Sequence, residues 1–441
     1  MNKIILHIDF DSFFASVAQQ VNPLFRNRPI GVTATNGRTA IIAASREAKA
    51  LGIKSPSRTF DAQRICPSII FVPADFNLYW DISRKFINIC KDYTPYVEIF
   101  SLDEVFMDIT NSAYLFGGAH GIIDKIRARL VEDVGEYITV SVGISHNKLL
   151  AKLASGLKKP CGLVEIKPED VPSIYKNTPL TDICGIGGRI EDRLNQMGIY
   201  TLTQLSTAPL RSLIAEFGNI EGNFLYNVGI GKDDRPVIPY TEAPDVKSAG
   251  RSYCLPQNEY NTRKIYQNVY ELCEEVALKL RRLNKKARGV GFYLRGDINI
   301  GAHHTTDQYM NTGRELFECI MSITSTTGTT GTTGFFARDT LDTRDTRAAH
   351  INYVRQISIW TYHLEDAENT PSSIFPKYQR AQKLTRIMDQ INERFGDHTI
   401  RNGFLLYADK LTTVPNGFMA DRYERTKFAE QEKTRLANLL D

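Results

Sequence analysis

A chain of 441 residues with 42% hydrophobic and 24% charged side chains is long enough for about two to four domains and has a globular composition. A net charge of +4 does not by itself argue a nucleic-acid partner, and the lack of any run of about 18 apolar residues argues against a membrane protein. The N-terminus enters a strand without a secretion signal, and seven scattered cysteines without a C-x-x-C pair fit reduced cytosolic thiols, so a cytoplasmic protein is expected.

In chain order, Ile4-Ile5-Leu6-His7-Ile8-Asp9-Phe10-Asp11 reads as a buried strand that ends in carboxylates. A helix is expected over 12–20, with turn signals at Asn22-Pro23 and Asn27-Arg28-Pro29. Ile30 to Thr33 and Thr39 to Ile42 read as strands, and an Ala-rich helix from Ala43 to Leu51 stops at Gly52. On that helix Arg46 and Lys49 are three apart, neighbours on one face that could grip a triphosphate. A helix from Tyr79 to Tyr93 leads to the apolar run Ile99 to Asp108, which Asp103 and Glu104 interrupt. An acidic pair there means a turn tip or a bound cation, because an isolated charge in such a strand is expensive to desolvate. A helix over 121–131 and an alternating strand over 138–144 follow.

Two acidic strand ends side by side would suit a hard divalent cation such as Mg²⁺, which takes carboxylate oxygens and leaves its other positions to water and phosphates. A pair of such ions serves in-line displacement at phosphorus.

Asp9-Phe10-Asp11-Ser12-Phe13-Phe14-Ala15, followed about ninety residues later by Ser101-Leu102-Asp103-Glu104, resembles the Y-family of translesion DNA polymerases, nearest the DinB, or DNA polymerase IV, branch. The resemblance implies an α+β, multidomain, right-hand polymerase. Its palm would comprise 1–20 and 74–168, its fingers 21–73, its helix-hairpin-helix thumb 169–236 and its α/β little finger 245–363. It further implies DNA-directed DNA synthesis of low fidelity during DNA repair, on primer-template DNA with deoxynucleoside triphosphates. Two Mg²⁺ ions would be held by Asp9, the Phe10 carbonyl, Asp103 and Glu104, with Glu104 also catalytic; Asp11 would support the site without touching the metals. Phe14 matches the bulky residue that excludes a 2′-hydroxyl, although local evidence alone reads it as core packing. The family usually carries Tyr and Arg where Arg46 and Lys49 stand, and Lys lacks the bidentate fork of Arg.

Further matches follow in order. The helix from Ser145 to Ser155, with Lys158-Lys159-Pro160-Cys161-Gly162 trailing it, is similar to the palm element whose last lysine reaches the triphosphate; this assigns Lys159 to phosphate binding. Gly185-Ile186-Gly187 resembles a thumb hairpin whose backbone N–H groups meet a DNA phosphate, with Cys184 where the family has proline. A helix cap and turn would leave the same local pattern. Residues 236–244 read as a linker, and Lys247-Ser248-Ala249-Gly250-Arg251 is similar to the opening strand of the little finger, which makes Lys247 and Arg251 candidates for DNA contact.

Between Asp245 and Ile300 eleven Lys or Arg face six Asp or Glu, a local excess of five that suits either a phosphate-backbone surface or a solvated helix end. Ile265, Val269, Leu272, Val276, Leu280 and Leu283 mark one amphipathic helix, with strands over 289–294 and 354–360. A Thr/Gly/Ser-rich insertion is expected near 322–348. The extension 364–441 holds a charged helix over 378–395 and has no assigned role. In polymerases of this kind such tails often bind the sliding clamp, but no glutamine-plus-aromatic clamp motif is evident. The expected state is a monomer associated with the nucleoid. The alternatives are a non-catalytic DNA-binding scaffold, which would usually have lost a carboxylate, and a nucleotide cyclase, which has no use for a DNA-binding thumb.

Overall fold

The computed structural model describes residues 3–34, 40–242, 245–326, 352–371, 376–396, 399–406, 408, 428–435 and 437. They fall into two compact units: Met1–Asn36 with Ala40–Ala243 and Glu424–Asp441, and Gly37–Thr39 with Pro244–Tyr423.

In the first unit, β1 (Ile5–Phe10) carries apolar residues on both faces because it lies in the middle of a sheet and is buried on both sides. β2 (Ile30–Thr33), β3 (Ala40–Ala44), β4 (Ser57–Arg58) and β5 (Ile70–Pro73) form a separate four-stranded sheet, ordered β4-β3-β2-β5. The Ala-rich run expected to be helical from Ala43 stays extended to Ala44. Ser45 then caps the short helix Arg46–Ala50, its hydroxyl accepting from the Ala48 N–H.

β6 (Val97–Ile99) and β7 (Glu104–Asp108) return to the first sheet, followed by β8 (Val140–Ser145) and β9 (Leu163–Ile166), in the order β6-β7-β1-β8-β9. The acidic run is therefore a hairpin rather than one strand. Phe100 and Ser101 both donate to the Glu104 carbonyl at 3.1 and 3.2 Å, which puts Asp103 at the turn tip. Beneath the sheet, Leu6, Ile8, Phe10, Phe86, Ile87 and Met107 belong to one apolar core, each such side chain contributing about 1.5–3 kcal/mol by burial.

The helix Lys148–Leu157, capped by Asn147, packs against β8 and β1. It can approach because Gly143 has no side chain: a Cβ there would sit 2.0 Å from the Ala151 carbonyl and 2.5 Å from the Ser155 N–H. Short helices, among them Gly188–Gln196, Leu210–Phe217 and Asn219–Gly229, pack around Leu194, Leu205, Leu213 and Leu225 in a core that they share with Leu149, Leu150 and Leu153 of the helix Lys148–Leu157. The last described helical turn of the chain, from Phe428, also belongs to this unit. Phe428 is buried beside Trp80 and Tyr240, and Glu432 pairs with Lys91 at 2.5 Å.

The second unit is an antiparallel sheet of β10 (Ser248–Glu259), β11 (Lys285–Gly296), β12 (Asn299–Met310) and β13 (Val354–Asp366), ordered β10-β13-β11-β12. The helix Thr262–Arg282 buries its Ile265, Val269, Leu272, Val276 and Leu280 stripe against it. β12 and the helix Gly313–Thr326 were not legible as elements, and that helix takes residues 322–326 of the expected insertion. The rest of the insertion, 327–348, lies outside the described residues.

Gly143→Ala is expected to cost about 3 kcal/mol, the upper range for overpacking, because the clash is with backbone that cannot move aside. Urea denaturation checks this; an unchanged midpoint would contradict the packing account.

Candidate active site

The site is built by strand register. β1 and β7 run antiparallel with Asp9 directly opposite Glu104, and the Phe10 N–H donates to the Asp103 carbonyl at 2.9 Å. The structure therefore brings the backbones of Asp9, Phe10, Asp103 and Glu104, the four positions expected to hold metal, next to one another. The side chains of Asp9 and Glu104 are only 17% and 12% exposed.

Burial and local charge then set each carboxyl apart. Burial pushes Asp9 up to about 7 even though Lys159 is ion-paired with it and opposes the rise. Asp103 is also raised, mainly by burial, against the hydrogen bond from Ser101. Burial also works against ionisation of Glu104, but the His7 hydrogen bond and the Lys152 ammonium outweigh it and hold this carboxyl down to about 2. Two of the three carboxylates are thus short of positive charge. That donor set, hard oxygens with charge left uncompensated, fits a divalent cation. Ligand atoms of His7, Asp9 and Glu104 lie within 4.8 Å of one another.

Asp11 does something else. It is 2% exposed and accepts from the Thr139 and Ser141 hydroxyls at 2.8 and 2.7 Å and from the Cys161 N–H at 2.9 Å. Its carboxylate is used up in tying the turn after Lys159 to β8. That turn aims Lys159 at Asp9.

Arg46 donates to the Thr139 hydroxyl and approaches Asp11 to 3.8 Å, while Lys49 lies 2.8 Å from the Ser12 hydroxyl. Burial lowers the Lys49 pKa, and the nearby Lys159 charge adds to the effect. The Phe14 ring is half-buried and stacks on Tyr79, centroids 4.2 Å apart. His7, Lys152 and Ser155 were missed as site residues. A lone histidine in an apolar strand, and a lysine four residues after Lys148 on the following helix, were the only sequence signals.

Gly185 has φ +108°, and a Cβ there would lie 2.6 Å from the Phe224 ring, so packing alone already requires glycine. Gly187 caps the helix Gly188–Gln196, its carbonyl accepting from Ile190 and Glu191.

In the second unit, Lys247 is exposed, but Arg251 does not lie at the surface as expected for a DNA contact. β10 alternates, and Arg251 shares the inward face with Ala249, Tyr253 and Leu255. It is 8% exposed and pairs with Glu275 at 2.7 Å. The Lys279 ammonium donates to the Gly250 carbonyl beside it, and burial and then Arg251 pull its pKa down to about 8 against the attraction of Glu275.

The local cationic excess is likewise reduced by partners outside the counted window. Arg281 pairs with Asp389, Lys285 with Asp366 as well as Asp245, and Arg288 with Glu365.

Residues 8–156 match the impB/mucB/samB family model, and 181–233 match the model described as the DNA polymerase-iota thumb domain. The chain is 31% identical to DNA polymerase IV of Pelotomaculum thermopropionicum, over 95% of this chain and 97% of that protein. It is 33% identical to DNA polymerase IV of Moorella thermoacetica, over 91% and 96%. A solved Y-family DNA polymerase chimera superposes with a TM-score of 0.65 at 25% identity, covering 82% of this chain and 98% of that one. The chain belongs to the Y-family of DNA polymerases. Within it, the full-length likeness is to the DNA polymerase IV branch.

Arg251→Met should destabilise the second unit by about 3–5 kcal/mol, because it breaks the buried ion pair with Glu275. The salt dependence of DNA binding should stay unchanged. Intact stability with a salt slope lower by about 0.9, the loss of one phosphate contact, would return Arg251 to the DNA surface.

Proposed function

We propose that this chain is a DNA-directed DNA polymerase that carries out translesion synthesis of low fidelity. The observation that carries the reading is the charge-deficient cluster of Asp9, Asp103 and Glu104 at the end of β1, with Lys159 paired to Asp9 and Lys152 to Glu104. When bound there by Asp9, the Phe10 carbonyl, Asp103 and Glu104, two Mg²⁺ ions would supply Lewis-acid activation of a primer 3′-hydroxyl and neutralise the triphosphate.

The chain's own residues do the rest. Lys159 exchanges Asp9 for a triphosphate oxygen, and Lys49 and Arg46 contribute positive charge from the short helix Arg46–Ala50. Asp11 fixes the turn that carries Lys159, so the lysine is positioned before the nucleotide arrives. Phe14, held against Tyr79, is the wall that a 2′-hydroxyl would strike. Gly185 and Gly187 offer hairpin N–H groups, and Lys247 an exposed ammonium, to the phosphates of primer-template DNA.

In this reading the palm comprises 1–20 and 74–168, the fingers 21–73, the thumb 169–236 and the little finger 245–363, and the protein acts as a monomer. No observation favours the non-catalytic scaffold, since all three carboxylates are present. A sliding clamp, if one engages the tail, would do so without a recognisable glutamine-plus-aromatic motif.

Primer extension with Mg²⁺ and four deoxynucleotides, on undamaged and abasic templates, tests the proposal. The wild type should extend both, and Asp103→Ala should lose about a hundred- to a thousandfold in rate with DNA binding retained, as when a stabiliser of transition-state charge is removed. Extension by Asp103→Ala at the wild-type rate would overturn the metal site. No extension by wild type that still binds DNA would overturn the polymerase reading.

A further inference from the structure

His7 sits one pleat behind Asp9 on the same face of β1 and is fully buried. Its Nε2 lies 3.0 Å from Glu104 Oε2, and its Nδ1 lies 2.7 Å from Ser155 Oγ. Lys152, one turn before Ser155 on the helix Lys148–Leu157, contacts the same Oε2. One oxygen of Glu104 is therefore held by two donors. Among the described residues nothing bonds to the other, Oε1.

We propose that His7 is a positioning residue for Glu104: its Nε2–H anchors Oε2 and thereby turns Oε1 toward the reacting centre. The proposal rests on the polymerase reading, and it assigns His7 a role other than metal ligand. Both ring nitrogens are engaged, one on Glu104 and one on Ser155, so a cation could reach Nε2 only by breaking the Glu104 bond. Ser155 fixes the ring in turn. Its hydroxyl, 2.7 Å from Nδ1 and also donating to the Lys152 carbonyl at 2.8 Å, ties the imidazole to the helix, and the Phe106 ring, 4.6 Å from the imidazole, restricts its tilt. The chain of contacts runs from the helix through Ser155 and His7 to the carboxylate, and Gly143, opposite His7 in the register, lets that helix come close enough.

The test uses the full-length protein with primer-template and three variants. His7→Phe keeps the ring shape and removes both nitrogens. His7→Gln retains an amide N–H that can reach Oε2. Ser155→Ala leaves the ring but frees it.

Two readouts are taken on each. One is the Mg²⁺ concentration for half-maximal single-nucleotide incorporation. The other, independent of turnover, is Mn²⁺ binding measured by electron paramagnetic resonance in the complex with DNA and a non-hydrolysable nucleotide.

His7→Phe should weaken both by roughly ten- to a hundredfold, the usual cost of losing a group that orients a ligand, with primer-template affinity unchanged. His7→Gln should recover most of the loss, and Ser155→Ala should shift both in the same direction by less. Wild-type metal dependence in His7→Phe would overturn the proposal. So would a His7→Gln as defective as His7→Phe, the result expected of a metal ligand or a packing role. If His7→Phe does not fold, Ser155→Ala decides alone: a shift in Mn²⁺ binding supports the proposal and none overturns it. Wild-type protein that incorporates nothing would instead indict the polymerase reading.

Discussion

The arrangement depends on one pairing, the antiparallel register that sets Asp9 against Glu104 across β1 and β7. Like charges directly opposite on neighbouring strands destabilise a sheet, and these are mostly shielded from water. The fold answers with cations delivered from the far side of β1. Lys152 arrives on the helix Lys148–Leu157 and Lys159 on the turn after it. Both depend on β8, whose Gly143 admits the helix and whose Ser141, with the neighbouring Thr139, grips Asp11.

Four carboxylates within two short stretches consequently have three different jobs. Glu104 is compensated and held ionised by its neighbours. Asp9 and Asp103 are left under-compensated and ready for added positive charge. Asp11, two residues from Asp9, is saturated by hydroxyls and a backbone N–H and ties down the turn that carries Lys159. Protein groups that already neutralise part of the site keep it folded before substrate arrives, and the remaining deficit is what a metal and a triphosphate would complete.

Much of this was legible in the chain. An apolar strand that ends in Asp9 and an acidic pair in a second apolar run point to a polar centre, because buried charge needs a reason. The stripe from Ile265 to Leu280 marks its helix by spacing alone. What could not be read depends on partners distant in sequence. Arg251 looked like a surface cation because its counter-ion, Glu275, lies on another element and the inward face of β10 is fixed only by packing. The basic cluster near Arg281 looked free because Glu365, Asp366 and Asp389 lie beyond it. β12 was missed because its exposed, polar residues carry little apolar alternation, and His7 because a histidine among isoleucines gives no hint of what it faces. The return of Phe428 to the first unit, against Trp80 and Tyr240, left no periodic trace at all.

The most direct measurement is the anomalous scattering of Mn²⁺ in crystals of this protein with primer-template DNA and a non-hydrolysable deoxynucleotide. The account predicts metal peaks contacted by Asp9, Asp103 and Glu104, with the His7 nitrogens and the Asp11 carboxylate outside the coordination sphere. Metal bound to His7 or Asp11, or no metal between Asp9 and Glu104, would contradict it.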